Sequence, residues 1–166
     1  MNNIIHKKDE SAPILKEYWL KLRSEFFPDR PDIDDYKIVW STRNQKRTLA
    51  SCNYIKHIVR VAKELNNQNL YEWLPPLLYH EMCHAYLGRN GGTPHGGKFK
   101  ELESRHPQTK QLKKWITSGG WRTAVRSNRT KQSWEKKKML PKKDKHIFPT
   151  TIDLYKIYNK IFGISK

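Results

Sequence analysis

The run His80-Glu81-Met82-Cys83-His84 constrains this chain more than any other stretch. It reads H-E-x-x-H inside an apolar segment, and the surrounding pattern predicts a helix. Residues four apart lie on one helical face, so His80 and His84 can offer two imidazole nitrogens to one metal ion. Glu81 stands beside them, placed to hold a water and take its proton. The context supports a helix over about 71–87. Pro75 and Pro76 fall where the first turn tolerates proline, Leu77-Leu78-Tyr79 continue apolar, and Gly88 follows Leu87 where a helix stops. The competing reading is a buried helix whose two histidines are merely hydrogen-bonded.

A catalytic zinc takes three protein ligands and keeps one open position. A third His six residues beyond His84 would fall at position 90, which is Asn90. A later carboxylate, Glu101 or Glu103, could serve. The better candidate is His95, in Gly91-Gly92-Thr93-Pro94-His95-Gly96-Gly97. Glycines on both sides permit a sharp return toward the active helix. Helical patterning then resumes at Lys98–Glu103, with Phe99 and Leu102 three apart. His106 precedes Pro107 and marks a loop boundary. His6, His57 and His146 have no comparable setting.

These residues resemble the SprT-like zinc metalloproteases, which include the Spartan-type proteases. The family pattern is H-E-x-x-H, a short spacer, then H-G-x-x-F/W, and His95, Gly96 and Phe99 match the second element. Val39–Arg43 and Thr48–Cys52 resemble the family's strand pair, and Ile58–Val61 its third strand. The resemblance covers about Ile14 to Arg105. It implies an α+β fold of zincin type, with a small three-stranded antiparallel sheet packed on helices. It implies zinc held by His80, His84 and His95, with Glu81 as general base. It also implies a substrate class, proteins bound or crosslinked to DNA.

Elsewhere the chain is punctuated plainly. Ser11 and Pro13 open an amphipathic helix in which Leu15, Tyr18, Trp19, Leu22 and Phe26 recur at spacings of three and four. The Pro28–Asp35 segment reads as a turn and loop. Strands are expected at about 36–41, 48–54 and 56–62, a short helix at about 97–105, and another from Gln108 to Thr117. Ser118-Gly119-Gly120 breaks the pattern, so residues 11–117 form the expected catalytic domain and 118–166 a basic extension.

Charge separates the two halves. Residues 1–90 carry 14 Lys/Arg against 11 Asp/Glu, whereas residues 91–166 carry 19 against 5. A one-sided positive field favours polyanions, and nucleic acid is the expected partner. Between 107 and 146, 13 basic residues meet 2 acidic ones, a composition that predicts extended or partly ordered chain. Trp121, Arg122, Arg126, Arg129, Trp134, Lys136, Lys137 and Lys138 are the candidate contacts, combining phosphate pairing with base stacking on single strands. Trp115 belongs to the same mixture. The competing reading is a solvated lysine-rich tail whose tryptophans pack on the catalytic domain. The final apolar set, Ile152 to Phe162, predicts a short docking helix.

Cys52 and Cys83 are the two cysteines, too few for a disulfide framework or a cysteine zinc ribbon. Unpaired thiols and the absence of a long apolar N-terminal run predict a cytoplasmic, DNA-associated protein without a membrane span. Two alternatives to the DNA-linked protease stay open. One is a nucleic-acid-binding or regulatory protein with an inert zinc site; the other is a regulatory metallopeptidase that cleaves a transcription factor.

Overall fold

The computed structural model describes residues 12–88 and 93–139. Ser11, the Gly91-Gly92 pair, the Lys142–Lys145 run and the Ile152–Phe162 segment lie outside the described residues, as do His6 and His146.

Helix α1, Pro13–Phe26, forms as its apolar spacing predicts, burying Leu15, Trp19 and Leu22. Its other residues organise the acidic segment that follows. Arg23 makes a bidentate pair with Asp34, at 2.9 and 2.7 Å. Lys16 reaches the backbone oxygens of Asp34 and Tyr36. The Trp19 indole N–H donates to the Ile33 carbonyl at 2.9 Å. With its backbone groups satisfied in this way, Pro31–Asp35 is a 3-10 turn within the segment expected to be a turn and loop.

Three short strands follow: β1 (Lys37–Trp40), β2 (Ala50–Asn53) and β3 (Ile58–Val61). The sheet is mixed, which corrects the expected all-antiparallel arrangement. Its order is β1-β3-β2. β2 and β3 form an antiparallel hairpin through the Tyr54–His57 turn, while β1 runs parallel to β3. The reason lies in the composition of the strands. β3 carries Val59 and Val61, both fully buried, and takes the central position. β2, Ala-Ser-Cys-Asn, is the most polar of the three and tolerates an edge. β1 and β2 therefore do not pair. The chain between them crosses the end of β3, a span of about 10 Å. That crossing is fastened by hydrogen bonds from the Lys63 backbone N–H to Ser41 Oγ, from Lys63 Nζ to the Thr42 carbonyl, and from the Gln45 N–H to Glu64.

A 3-10 turn, Gln68–Trp73, is capped by the Asn67 side chain and leads into α2, Leu74–Leu87. α2 is apolar on most of its circumference. Leu74, Pro76, Leu77, Leu78, Tyr79, Met82, Cys83 and Ala85 are all buried, so the helix runs through the core between α1 and the sheet. It stops at Gly88, whose φ of 52° a side chain would strain. The Arg30 guanidinium donates to the Tyr86 carbonyl at 3.0 Å near that end. Helix α3 spans Gly97–Glu103 and α4 spans Thr109–Thr117.

Gly119, at φ 91°, turns the chain into α5, Gly120–Met139. Over these residues a helix stands where extended or only partly ordered chain is expected. Trp121 and Val125, four apart, bury one face of its start. The Lys and Arg residues that follow are good helix formers, and they are exposed. The chain divides after Arg129 into two compact units. In the second, the described residues Thr130–Met139 are helical and nearly all exposed.

Candidate metal centre

α2 carries His80 and His84 one turn apart on the face turned toward α3, with ring centroids 5.1 Å apart. Glu81 is rotated away from that line and is 4% exposed. His95 arrives from the turn Thr93-Pro94-His95, in the left-handed conformation at φ 60°. Gly96 closes this turn by donating its N–H to the Thr93 carbonyl at 2.9 Å. A Cβ at Gly96 would lie 2.9 Å from that same oxygen, so the turn that delivers His95 requires glycine there.

The three Nε2 atoms converge. His84 and His95 are 3.1 Å apart, and His95 and His80 are 3.3 Å apart. A tetrahedral ion with metal–nitrogen bonds of about 2.0–2.1 Å needs its nitrogens about 3.3 Å from one another. The donor set fits. Among the described residues, His80, His84 and His95 are the group whose ligand atoms could hold a metal ion.

Glu103 has a different role from the ligand role that sequence left open to it. The His80 Nδ1–H donates to Glu103 Oε1 at 2.7 Å. This fixes the tautomer that leaves the His80 Nε2 lone pair facing the cluster. The other Glu103 oxygen takes Lys113 Nζ at 2.6 Å. Burial raises the Glu103 carboxyl, but its bonds to His80 and Lys113 outweigh that and hold it at about 2. It therefore stays ionised at working pH. Glu101 is exposed on α3 and stands outside the group.

The remaining electrostatics suit metal capture, because the ligand form of histidine is neutral. Burial, reinforced by His80 and His95, lowers His84 to about 4. Burial and His80 also lower His95. Burial pushes Glu81 up to about 7, against the opposing pull of His80 and the Cys52 backbone N–H. A carboxyl poised there is matched to proton transfer near neutrality. Phe99, 2% exposed, packs on all three imidazoles, with centroids 4.4 Å from His84, 4.8 Å from His95 and 5.0 Å from His80.

Neighbouring aromatic and polar side chains are committed to structural contacts. Tyr79 donates its hydroxyl to the Leu102 carbonyl at 2.9 Å, so it ties α2 to α3. Tyr86 packs on Phe27 with the Arg30 guanidinium over its ring. His106 is buried against Phe26 and Tyr79. Cys83 is a core residue whose thiol burial pushes up to about 12.

All eight candidate nucleic-acid residues lie on α5. Trp121 is 4% exposed and belongs to the core, which removes it from base stacking. Trp115 stacks on Trp73, with centroids 5.0 Å apart. Trp134 is 62% exposed, with Lys137 Nζ 5.9 Å from its ring centre. Arg122, Arg126 and Arg129 recur at helical spacing on an exposed face, and Lys136, Lys137 and Lys138 are exposed in the last turn.

Sequence reasoning missed Lys113, the Cys52 backbone contact and the packing of Phe99. Lys113 carried no signal, since it is one lysine in a basic helix. Phe99 was visible only as a motif letter.

A family model described as the SprT-like family matches residues 15–118. The match includes His80, Glu81, His84, His95, Phe99 and Glu103, and ends before α5. No curated protein and no solved structure matches the chain significantly.

Proposed function

The chain belongs to the SprT-like family, a family of zinc-metalloprotease type, and on that premise we propose that it is a zinc-dependent endopeptidase acting on DNA-bound or DNA-crosslinked proteins. The observation that carries the peptidase reading is the convergence of three imidazole Nε2 atoms beside one buried carboxyl. His80, His84 and His95 would hold the zinc. When bound, zinc supplies Lewis acidity, lowering the pKa of a bound water to about 7 and polarising a carbonyl. Glu81 accepts the proton of the attacking water and delivers it to the leaving amine. Glu103 keeps His80 in the ligating tautomer, and the Lys113 ammonium keeps Glu103 ionised. Phe99 covers the imidazole rings and limits water on that side.

The DNA part of the reading rests on charge. The basic excess of residues 91–166 and the exposed cations of α5 supply phosphate contacts, and Trp134 supplies a stacking surface. Binding to DNA would bring the peptidase to proteins held there. No helix among the described residues is long and apolar enough to cross a membrane; it is the DNA-directed reading that would place the protein with the DNA of the cytoplasm.

The test is cleavage of a DNA-binding protein by zinc-loaded wild type and Glu81→Gln, with and without single-stranded DNA. Expected are DNA-stimulated cleavage, its loss by roughly 10²–10⁴-fold in the variant, and unchanged zinc content and DNA affinity. Cleavage that survives the substitution sinks the enzyme reading in favour of a binding or regulatory protein with an inert zinc site. Cleavage indifferent to DNA sinks the DNA-directed part and leaves a regulatory metallopeptidase, such as one that cleaves a transcription factor.

A further inference from the structure

Beside the metal centre lies a cavity of about 230 Å³. Its walls are Leu49, Ala50, Leu77, Leu112 and Ile116, drawn from the β2 edge, α2 and α4. His80 and Glu81 border it, so whatever fills it sits next to the reacting atoms. Its size is below the range of roughly 300–1,000 Å³ that whole small-molecule ligands use. A volume of that size suits a single side chain rather than a whole small molecule. Of the polar groups on its wall, His80, Glu103 and Lys113 are bonded to one another. Glu103 divides its oxygens between His80 and Lys113, which leaves neither oxygen unpaired for a ligand.

We propose that this pocket receives an aliphatic side chain of the substrate residue flanking the scissile bond. The inference rests on the peptidase reading and deepens it by naming the substrate class: segments with Leu, Ile or Met at that position. Five aliphatic walls reward apolar surface. A polar side chain would lose hydration against the aliphatic walls, with the half-exposed Lys113 ammonium as the donor left at the rim. A Lys or Arg would meet the ammonium of Lys113. DNA-binding proteins are rich in basic residues, so the pocket directs cleavage toward the aliphatic positions between them.

The test uses two peptidyl hydroxamates identical except for an isobutyl group or a hydrogen at the flanking position. They are titrated into the zinc-loaded full chain, and in parallel a peptide mixture is cleaved and its cut sites read. The isobutyl probe should bind at least tenfold more tightly, within the roughly 10–200-fold that one extra apolar group can command. Ile116→Trp and, at a second wall, Ala50→Leu should each bring the two probes to equal affinity. Cut sites should be enriched in Leu, Ile and Met on one side of the bond. Equal affinity in wild type overturns the pocket, as does failure of both probes to bind protein shown to contain zinc. Selective binding erased by either variant, with no peptide cleaved, leaves the pocket standing and overturns the peptidase reading instead.

Discussion

The metal centre and helix α5 carry the two halves of the proposed activity in opposite physical ways. At the centre every functional atom is held by another residue. His80 is held by Glu103, Glu103 by Lys113, His95 by a glycine-dependent turn, and the three rings by Phe99. On α5 the cations are exposed and their placement follows from the helix alone. The contrast teaches where precision is needed. A tetrahedral ion tolerates errors of a few tenths of an ångström, so its ligands need a second layer of support. A polyanion responds to summed charge, and no single lysine has to be placed accurately.

This comparison is sharpened most by breaking the centre. His95→Ala removes a direct ligand, and metal analysis of dialysed protein should show affinity falling by more than the ~100-fold that loss of a supporting residue can reach. Retained zinc would mean that some other group supplies the third bond.

Next in size is Glu81→Gln in metal-free protein. Burial raises the Glu81 carboxyl from 4.5 to about 7. The folded state therefore holds this proton more tightly than the unfolded chain. Its contribution is full below pH 4.5 and fades as pH rises toward 7. His84, held down at about 4, adds stability over the same window, so the Glu81 contribution is read as a difference. Relative to Glu81→Gln, chelator-treated wild type should lose on the order of 3 kcal/mol between pH 4.5 and 7. Parallel curves would show that the carboxyl is not strained by burial.

Glu103→Gln keeps the shape but loses the charge that orients His80. Zinc affinity should drop about 10–100-fold, with DNA binding untouched. If affinity holds, the centre is less dependent on support than the contrast with α5 requires.

The smallest effect belongs to α5. Changing Lys136, Lys137 and Lys138 together to Gln should weaken DNA binding roughly tenfold at moderate salt, and lower the slope of log affinity against log salt by up to ~3. Zinc content should not change. A chain ending at Arg129 is the corresponding truncation. It keeps the buried Trp121 and Val125, which a cut at residue 118 would remove from the core. A single lysine change as damaging as the triple would make α5 a built site like the centre.

Much of this was legible beforehand because it is local. The H-E-x-x-H spacing, the stripe Leu15-Trp19-Leu22 and the glycines around His95 act within a turn or two of themselves. The ligand set His80, His84 and His95 was reached from those patterns together with the family resemblance, and the structure brings these three nitrogens together. The sheet was legible as three strands but not as an arrangement, because pairing depends on which strand the core claims, and β3 won the centre over β2. The helical state of α5 was hidden by its charge. Composition registers that basic residues bury little, yet two residues, Trp121 and Val125, suffice to anchor the start.

Sequence by itself therefore supplied the candidates: the histidines that could hold a metal, the carboxyl proposed to move a proton, and the half of the chain whose charge suits a polyanion. Tertiary structure alone decided who supports whom. Glu103 is 23 residues from His80 and 10 from Lys113. Nothing in that spacing distinguishes an orienting carboxylate from a ligand or a surface charge. The distinction appears only when α2, α3 and α4 pack together, since a hydrogen bond is decided by distances of tenths of an ångström that one-dimensional order does not contain.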